Sequence, residues 1–468
     1  MRMNFTRRSV LGVTALIAFG GIATACSDFL KAENPGAIQE PALASSDYIQ
    51  LMVNGVQGEF QRMYPQVTYY NSLWTDELRN HGVFFEERLY DRRVVDEING
   101  THATFVYSPL QRSVWSADSI RGRLKILLGD SADKSVRSAR VSAYAGYNYT
   151  LLGEMYCVAP VNGSAPKPPD ELFRDFALPR FAEAIAIATA AKTFPVPGGA
   201  PIPPARILAA DSIIKWAQIG AARVALDLND KIQAIAFAQA VVNTSDTTFI
   251  FRSYTDSTFA ALTGTFGGRV AGTSGVKTGS ITNTPYVSMT DRRVPHPTTT
   301  EAVQDASQAI VPNAGRSFSN SLEYTRPTAT AAEMLVGIDF SQTGWMRLAS
   351  YREAAYILAE ALGNTPVNVT FLNAQRALGG DAALGGTAPL VAPTDADYFA
   401  SLREQRRREF WGDNHRIADL RRYITQYNVN DFQTGLYPGT STGEQYGTQT
   451  CLPLTLAENQ GNPNIPKP

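Results

Sequence analysis

Apolar positions recur at helical spacing over both halves of the chain. In Ser212–Leu228, the residues Ile213, Trp216, Ala217, Gly220, Ala221 and Val224 fall three and four apart, which predicts a helix with one apolar face. Lys231–Val242 follows it and is rich in alanine, as suits a second helix packed closely on the first. Ser113–Leu128 and Val136–Met155 predict another pair, with Tyr144, Tyr147 and Leu151 on one face of the second helix. Trp345–Leu362 reads as one continuous helix, striped by Leu348, Tyr351, Ala355, Leu358 and Leu362. Trp216, Ile219 and Gly220 fit the W-x2-L-G core of a tetratricopeptide repeat, although Arg223 stands where that motif prefers Tyr. The pattern predicts a helical-repeat scaffold.

Breaks in the pattern set the domain layout. Segments 161–170 and 194–206 hold too much proline for a helix or a central strand. Residues 243–340 differ in kind, being rich in Thr, Ser and Gly, without helical periodicity and dotted with aromatics. Loops of such length are usually functional or disordered. The expected layout is a scaffold over about 41–242 and 341–468, interrupted by a loop-rich ligand-binding insertion over about 243–340.

The first residues read as a secretory leader. Arg2, Arg7 and Arg8 precede an apolar run from Val10 to Ala25, too short to span a bilayer as a helix. Ala23-Thr24-Ala25-Cys26 fits a lipobox, so residues 1–25 are expected to be a signal peptide and Cys26 the lipid-attachment site of a chain spanning 26–468. The formal net charge is −1, and removing residues 1–25 takes away three Arg and no acid, leaving −4. That balance speaks against a nucleic-acid partner. Two cysteines remain, Cys157 and Cys451, and in an exported chain they are expected to pair.

Signs of catalysis are few. The sequence holds no G-x-S-x-G, H-E-x-x-H, P-loop or paired C-x-x-C, and its histidines, His81, His102, His296 and His415, are dispersed. Asp76-Glu77 places two carboxylates side by side, but neighbours in sequence rarely flank one glycosidic bond. The expectation is therefore a protein that is not an enzyme, with no cofactor and no metal. Residues 402–423 carry many arginines interleaved with Glu404, Glu409, Asp413 and Asp419. Glu404 can reach Arg408 and Asp419 can reach Arg422 along a helix, so this stretch reads as an ion-paired structural element.

That same stretch resembles the C-terminal signature of the SusD/RagB family of outer-membrane nutrient-binding lipoproteins. Arg407, Arg408, Glu409, Arg416, Asp419, Leu420, Arg421 and Arg422 carry the likeness, with Asp413 for the usual Glu and Asn414 for the usual Gly. Residues 347–362, including Arg347 and Glu360, are similar to the family's R-L-A-E-x-Y helix. Residues 139–160 and 451–465 are similar to two further family segments, in the family's order. The resemblance implies a mainly α, SusD-like fold: a right-handed scaffold of tetratricopeptide-like repeats with a loop-rich insertion and few short strands. It implies a SusC-like TonB-dependent barrel as partner, a position on the outer membrane facing the exterior, and carriage of a nutrient such as an oligosaccharide. It also implies that the arginine motif, Glu360 included, is structural. Aromatic rings mixed with polar groups suit sugars, which makes Tyr69, Tyr70, Asn71, Trp74, Asp76 and Arg79 the candidate ligand-binding residues. Core packing is the alternative for each tyrosine. A second set is Phe251, Tyr254, Phe259, Phe266, Tyr286, Phe318 and Tyr324. The competing function is an exported helical-repeat scaffold that docks proteins and takes no small ligand.

Overall fold

The structure is a computed structural model that describes residues 43–80, 85–254, 279–280, 285–286, 293–294, 345–379, 388–438 and 443–466. Cys26, the expected leader, His81, His296, and Phe259, Phe266, Phe318 and Tyr324 lie outside them. The first half carries α1 (Ile49–Trp74), α2 (Phe85–Asp91), α3 (Ser108–Leu128), α4 (Val136–Met155), α5 (Leu178–Thr193), α6 (Pro204–Asp227) and α7 (Lys231–Val242). The second carries α8 (Tyr351–Leu362), α9 (Pro366–Gly379), α10 (Asp395–Glu409), α11 (Arg416–Tyr427) and α12 (Leu456–Gly461). From α3 to α8 each helix packs on the next in chain order, and α4 also meets α6. This nearest-neighbour stacking is how repeat scaffolds build a continuous core.

Short antiparallel pairs complete the architecture. β1 (Arg79–Asn80) pairs with β3 (Gly279–Ser280), and β2 (Ile250–Tyr254) pairs with β4 (Trp345–Ser350). In the second pair Ile250 faces Ser350 and Tyr254 faces Trp345, with a bulge between Phe251 and Arg252. Trp345–Ser350 is thus a strand and not the first turns of a helix. The helix starts only at Tyr351, because Ser350 is extended and its hydroxyl accepts the Glu353 N–H at 3.2 Å as an N-cap. Every residue of β4 is buried, so its two faces are alike and the period-two signature of a strand never shows in the sequence.

The scaffold core explains the repeat-like motif. Trp216 of α6 stacks on Phe251 at 3.9 Å and on Tyr147 of α4 at 5.4 Å. Phe181 of α5 wedges between α4 and α6, where a Cβ on Gly146 or Gly220 would come within 2.6 or 2.4 Å of its ring. Gly220 therefore lets a phenyl ring sit against the helix backbone. Arg223, where a tyrosine would be usual, forks onto Glu154 of α4 at 2.5 and 2.7 Å. Both residues are buried.

That pair belongs to a larger buried charge lattice. Arg347 reaches Asp413 and Glu409, each at 2.8 Å. Arg406 forks onto Asp419 at 3.0 and 2.8 Å. Arg422 forks onto Glu360 at 3.0 and 3.1 Å and also reaches Asp227 and Asp419. Arg408 and Arg407 pair with Glu404, while Arg352 meets Glu409 from the other side. Arg421 donates to the carbonyls of Gly153, Glu154 and Tyr156, capping the C-terminus of α4, and Arg416 is buried beside Tyr423 and Asp419. Asn414 takes a left-handed φ of 69°, which Asn tolerates better than most residues. The arginine stretch is structural cement.

Cys157 and Cys451 are joined by a disulfide with Cα atoms 5.1 Å apart, beside a parallel bridge between Tyr156 and Leu452. It fastens the segment after α11 to the end of α4. Among the described residues no helix is long and apolar enough to cross a membrane.

Two outcomes follow from this packing. A helical Gly→Ala change gains about 1 kcal/mol by propensity alone. Gly220→Ala must instead displace Phe181 and is expected to cost about 1–3 kcal/mol in urea unfolding. Gly58→Ala, with open space at that position of α1, is the control and should be neutral or stabilising. A gain at Gly220 would show that Phe181 is not wedged there.

The second outcome is a pH profile. Burial pushes the Glu77 carboxyl up to about 8 against the pull of the Gly412 N–H. The His415 imidazole, opposed by burial and by Arg223, is raised to about 9 because Asp413 and Glu353 flank its two nitrogens. Both groups keep a proton when folded that they lose when unfolded, Glu77 above about 4.3 and His415 above about 6.5. Stability therefore falls as pH rises from near 5 to 9. Burial works against the Asp419 charge, but Arg406 and Arg422 hold its carboxyl below its usual range, so stability falls again in acid. Thermal unfolding should show a maximum in mild acid, and Glu77→Gln should shrink the drop between pH 5 and pH 8 by a few degrees. An unchanged drop would mean that Glu77 is ionised in the fold.

Candidate functional site

The end of α1 is where the expected ligand residues lie, and it is enclosed on every side. Every residue from Met63 to Asn80 is buried. The Tyr69 and Tyr70 hydroxyls donate to the two oxygens of Glu87 at 3.3 and 3.2 Å. Asn71 hydrogen-bonds Asn414, and Trp74 packs edge-on against Tyr90. These four side chains knit α1 to α2 and to the loop before α11. They offer no ring face to a sugar, because the part of α1 that carries them, from Met63 onward, is buried. In the second aromatic set, Phe251 is stacked on Trp216 and Tyr286 is buried with the Arg407 guanidinium over its ring. Tyr254 is half-exposed.

Arg79, with which Asp76 pairs, is different, since it lines a pocket. Its volume is about 440 Å³, within the range of small-molecule sites. Arg79 and Pro285 line it together with one segment after α11, which contributes Gln433, Thr434, Leu436, Pro438 and Tyr446. Leu436 is well exposed and Tyr446 half-buried. The pocket thus mixes apolar surface from leucine, proline and tyrosine with amide and hydroxyl groups.

Its floor is a closed set of charges. Arg79 pairs with Asp76 at 2.7 Å and with Asp91 at 2.6 Å, under the rings of Tyr437 and Tyr446. Asp91 also accepts from the Asn80 N–H and from the Tyr437 hydroxyl, at 2.8 and 2.6 Å. The Tyr446 hydroxyl donates to Asp76 at 3.1 Å. Burial opposes the Arg79 charge, yet the two aspartates raise its pKa above the ordinary value. Burial pushes the Asp76 carboxyl upward while Arg79 and Arg93 pull it back. A floor tied in this way is rigid, which is what a binding site needs from its scaffold.

The pocket wall escaped sequence reading. Its residues lie in 433–446, a stretch with no periodicity, where Gly435 and Gly443 take left-handed φ values of 82° and 67°. The available signal was an irregular segment bearing Tyr437 and Tyr446 between a charged helix and a cysteine. Among the described residues no cluster of His, Cys, Asp and Glu could hold a metal ion.

No family model matches the sequence, and no curated protein matches it. Solved structures do match in fold. A SusD superfamily protein from Bacteroides fragilis is 13% identical, with a TM-score of 0.61 over 90% of this chain and 99% of that one. A SusD-like carbohydrate binding protein from Bacteroides vulgatus is 14% identical, with a TM-score of 0.57 over 90% and 97% of the two chains. Surface glycan-binding protein A from Bacteroides thetaiotaomicron, in complex with laminarihexaose, is 15% identical with a TM-score of 0.55 over 82% and 91%. Over nearly its whole length, then, the chain has the fold of the SusD superfamily.

Proposed function

We propose that this chain is a lipid-anchored outer-membrane protein that binds an oligosaccharide and passes it, unaltered, to a SusC-like TonB-dependent barrel. The observation that carries the reading is the pocket over Arg79, with apolar and hydrogen-bonding groups side by side on a SusD-type scaffold. A fold neighbour that binds laminarihexaose supports a glycan as its occupant. The lipid anchor is Cys26, released from a signal peptide at 1–25, and two or more acyl chains on it hold the protein at the membrane. The scaffold is assigned to about 41–242 and 341–468, and the 243–340 stretch is a further source of ligand contacts. Sugar is taken up at the Leu436 side of the pocket, with Arg79 as its floor and Asp76 holding Arg79 in place.

Two measurements test this. Isothermal titration against laminarihexaose and a panel of other glycans should find at least one ligand, and Leu436→Asp should weaken its binding about tenfold, or 1.4 kcal/mol, without lowering the unfolding temperature. Gentle detergent extraction from native outer membranes should bring down a large β-barrel with the protein. A chain that binds no glycan and yet recovers protein partners other than a barrel would be the docking scaffold instead.

A further inference from the structure

The two helices that flank Arg79 in sequence, α1 and α2, end in the same unusual way. Helix α1 closes with Asp76 at φ 61°, the Glu77 and Leu78 N–H groups both donating to the Ser72 carbonyl at 2.9 Å. Helix α2 closes with Arg93 at φ 55°, the Val94 N–H donating to the Leu89 carbonyl and the Arg93 N–H to the Tyr90 carbonyl, each at 2.9 Å. This is the helix terminus whose left-handed residue is most often glycine. The left-handed conformation costs a residue with a Cβ about 1–2 kcal/mol. Asparagine and aspartate soften that cost through short local hydrogen bonds, whereas arginine has no such relief. Something in the folded chain must offset the cost at Arg93.

Its side chain shows what does. Arg93 is buried, and its guanidinium sits 5.0 Å from the centres of both the Phe432 and the Tyr446 rings. One nitrogen faces the Asp76 carboxylate at 3.5 Å. The other donates to the Gln433 carbonyl and, at 3.1 Å, to the Gly447 carbonyl. Gln433 and Gly447 bracket the segment that makes the pocket wall, so one guanidinium nitrogen ties its two ends together just outside the hydrogen bond from the Tyr446 N–H to the Gly435 carbonyl. The backbone joins in: the Gly447 N–H donates to the Arg92 carbonyl at 2.6 Å, and a Cβ on Gly447 would fall 2.1 Å from the Arg93 oxygen. Arg88 and Arg92 hold Glu444 of the same segment at 2.6 and 3.1 Å.

We propose that Arg93 is the positioning residue of this pocket: it fixes the spacing between Gln433 and Gly447 and so places Leu436 and Tyr446 for the ligand. The role rests on the glycan reading for its consequence, binding affinity, but not for its mechanism, the ordering of the segment. Lysine has a single nitrogen, so it cannot hold both carbonyls and face Asp76 at once, and it has no planar face to lie against the Phe432 and Tyr446 rings.

The test uses the full chain and two variants. Arg93→Gly relieves the left-handed residue, and Arg93→Lys keeps a positive charge opposite Asp76. Amide hydrogen exchange over 433–447 should quicken at least tenfold in both, while exchange in α4 and α6 stays as in the parent chain. Laminarihexaose, or whichever glycan the panel yields, should bind at least tenfold more weakly. Millimolar methylguanidinium should restore slow exchange and binding in Arg93→Gly, an effect that a purely structural role would not give. Unchanged exchange over 433–447 in both variants would overturn the proposal, as would an affinity equal to the parent's. Should the parent chain bind no glycan at all, the glycan reading fails, and exchange with its methylguanidinium rescue still decides the role of Arg93.

Discussion

Pairing of guanidinium with carboxylate out of water is the constraint on which this fold depends. Each buried ion costs several kcal/mol to desolvate, and only near-complete pairing with good geometry recovers it. Here Arg223, Arg347, Arg406 and Arg422 draw on Glu154, Glu409, Asp413, Asp419, Glu360 and Asp227, which come from both halves of the sequence. Asp227 of α6 and Glu360 of α8 are paired only when α10 and α11, which carry Arg406 and Arg422, lie against them. A helical array without its C-terminal helices would leave acids buried and unpaired, the most expensive state of all. The lattice therefore acts less as a store of stability than as a demand for one arrangement, closed by the Cys157–Cys451 bridge.

That lattice and the pocket share a single turn of chain. Asp76, Glu77 and Arg79 are nearly consecutive, yet they face opposite ways. Glu77 accepts the Gly412 N–H at 3.0 Å and so touches the loop that carries Asp413 and Asn414. Asp76 and Arg79 turn instead toward Asp91, Tyr437 and Tyr446. The left-handed residue at Asp76 makes this division possible, because it turns the chain sharply at the end of α1. Anything that shifts the lattice is felt at the pocket floor within two residues.

How much of this was legible depends on the kind of signal. The spacing of apolar and small residues placed Val136–Met155 and Lys231–Val242 to the residue. The i,i+4 and i,i+3 pairs Glu404–Arg408 and Asp419–Arg422 could be read directly, since both partners lie on one helix. Trp345–Ser350 misled because a strand buried on both faces looks like any apolar run. Tyr69, Tyr70, Asn71 and Trp74 misled for a related reason: aromatic and amide side chains serve a wet site and a hydrogen-bonded core equally well. What separates the two is their partner, here Glu87, Asn414 and Tyr90, and partnership across elements leaves no mark on local sequence.

The same reasoning explains why the pocket is built on an irregular segment with a charged floor and not on a row of exposed rings. The wall holds itself by one short antiparallel bridge, the Tyr437 N–H donating to the Glu444 carbonyl and the Tyr446 N–H to the Gly435 carbonyl. The Gln433 and Gly447 carbonyls at its ends are satisfied from outside. Arginines at the end of α2 supply those donors: Arg93 to Gln433 and Gly447, and Arg92 to Gln445 at 3.3 Å. Their charges are in turn balanced by Asp76 and Glu444, so the positive ends do not sit uncompensated beneath the pocket. An irregular wall held by side-chain forks can change its lining residues freely, provided that the carbonyls it offers to those forks stay in place. Specificity can then vary along 433–446 while α1, α2 and the charge lattice beneath remain as they are.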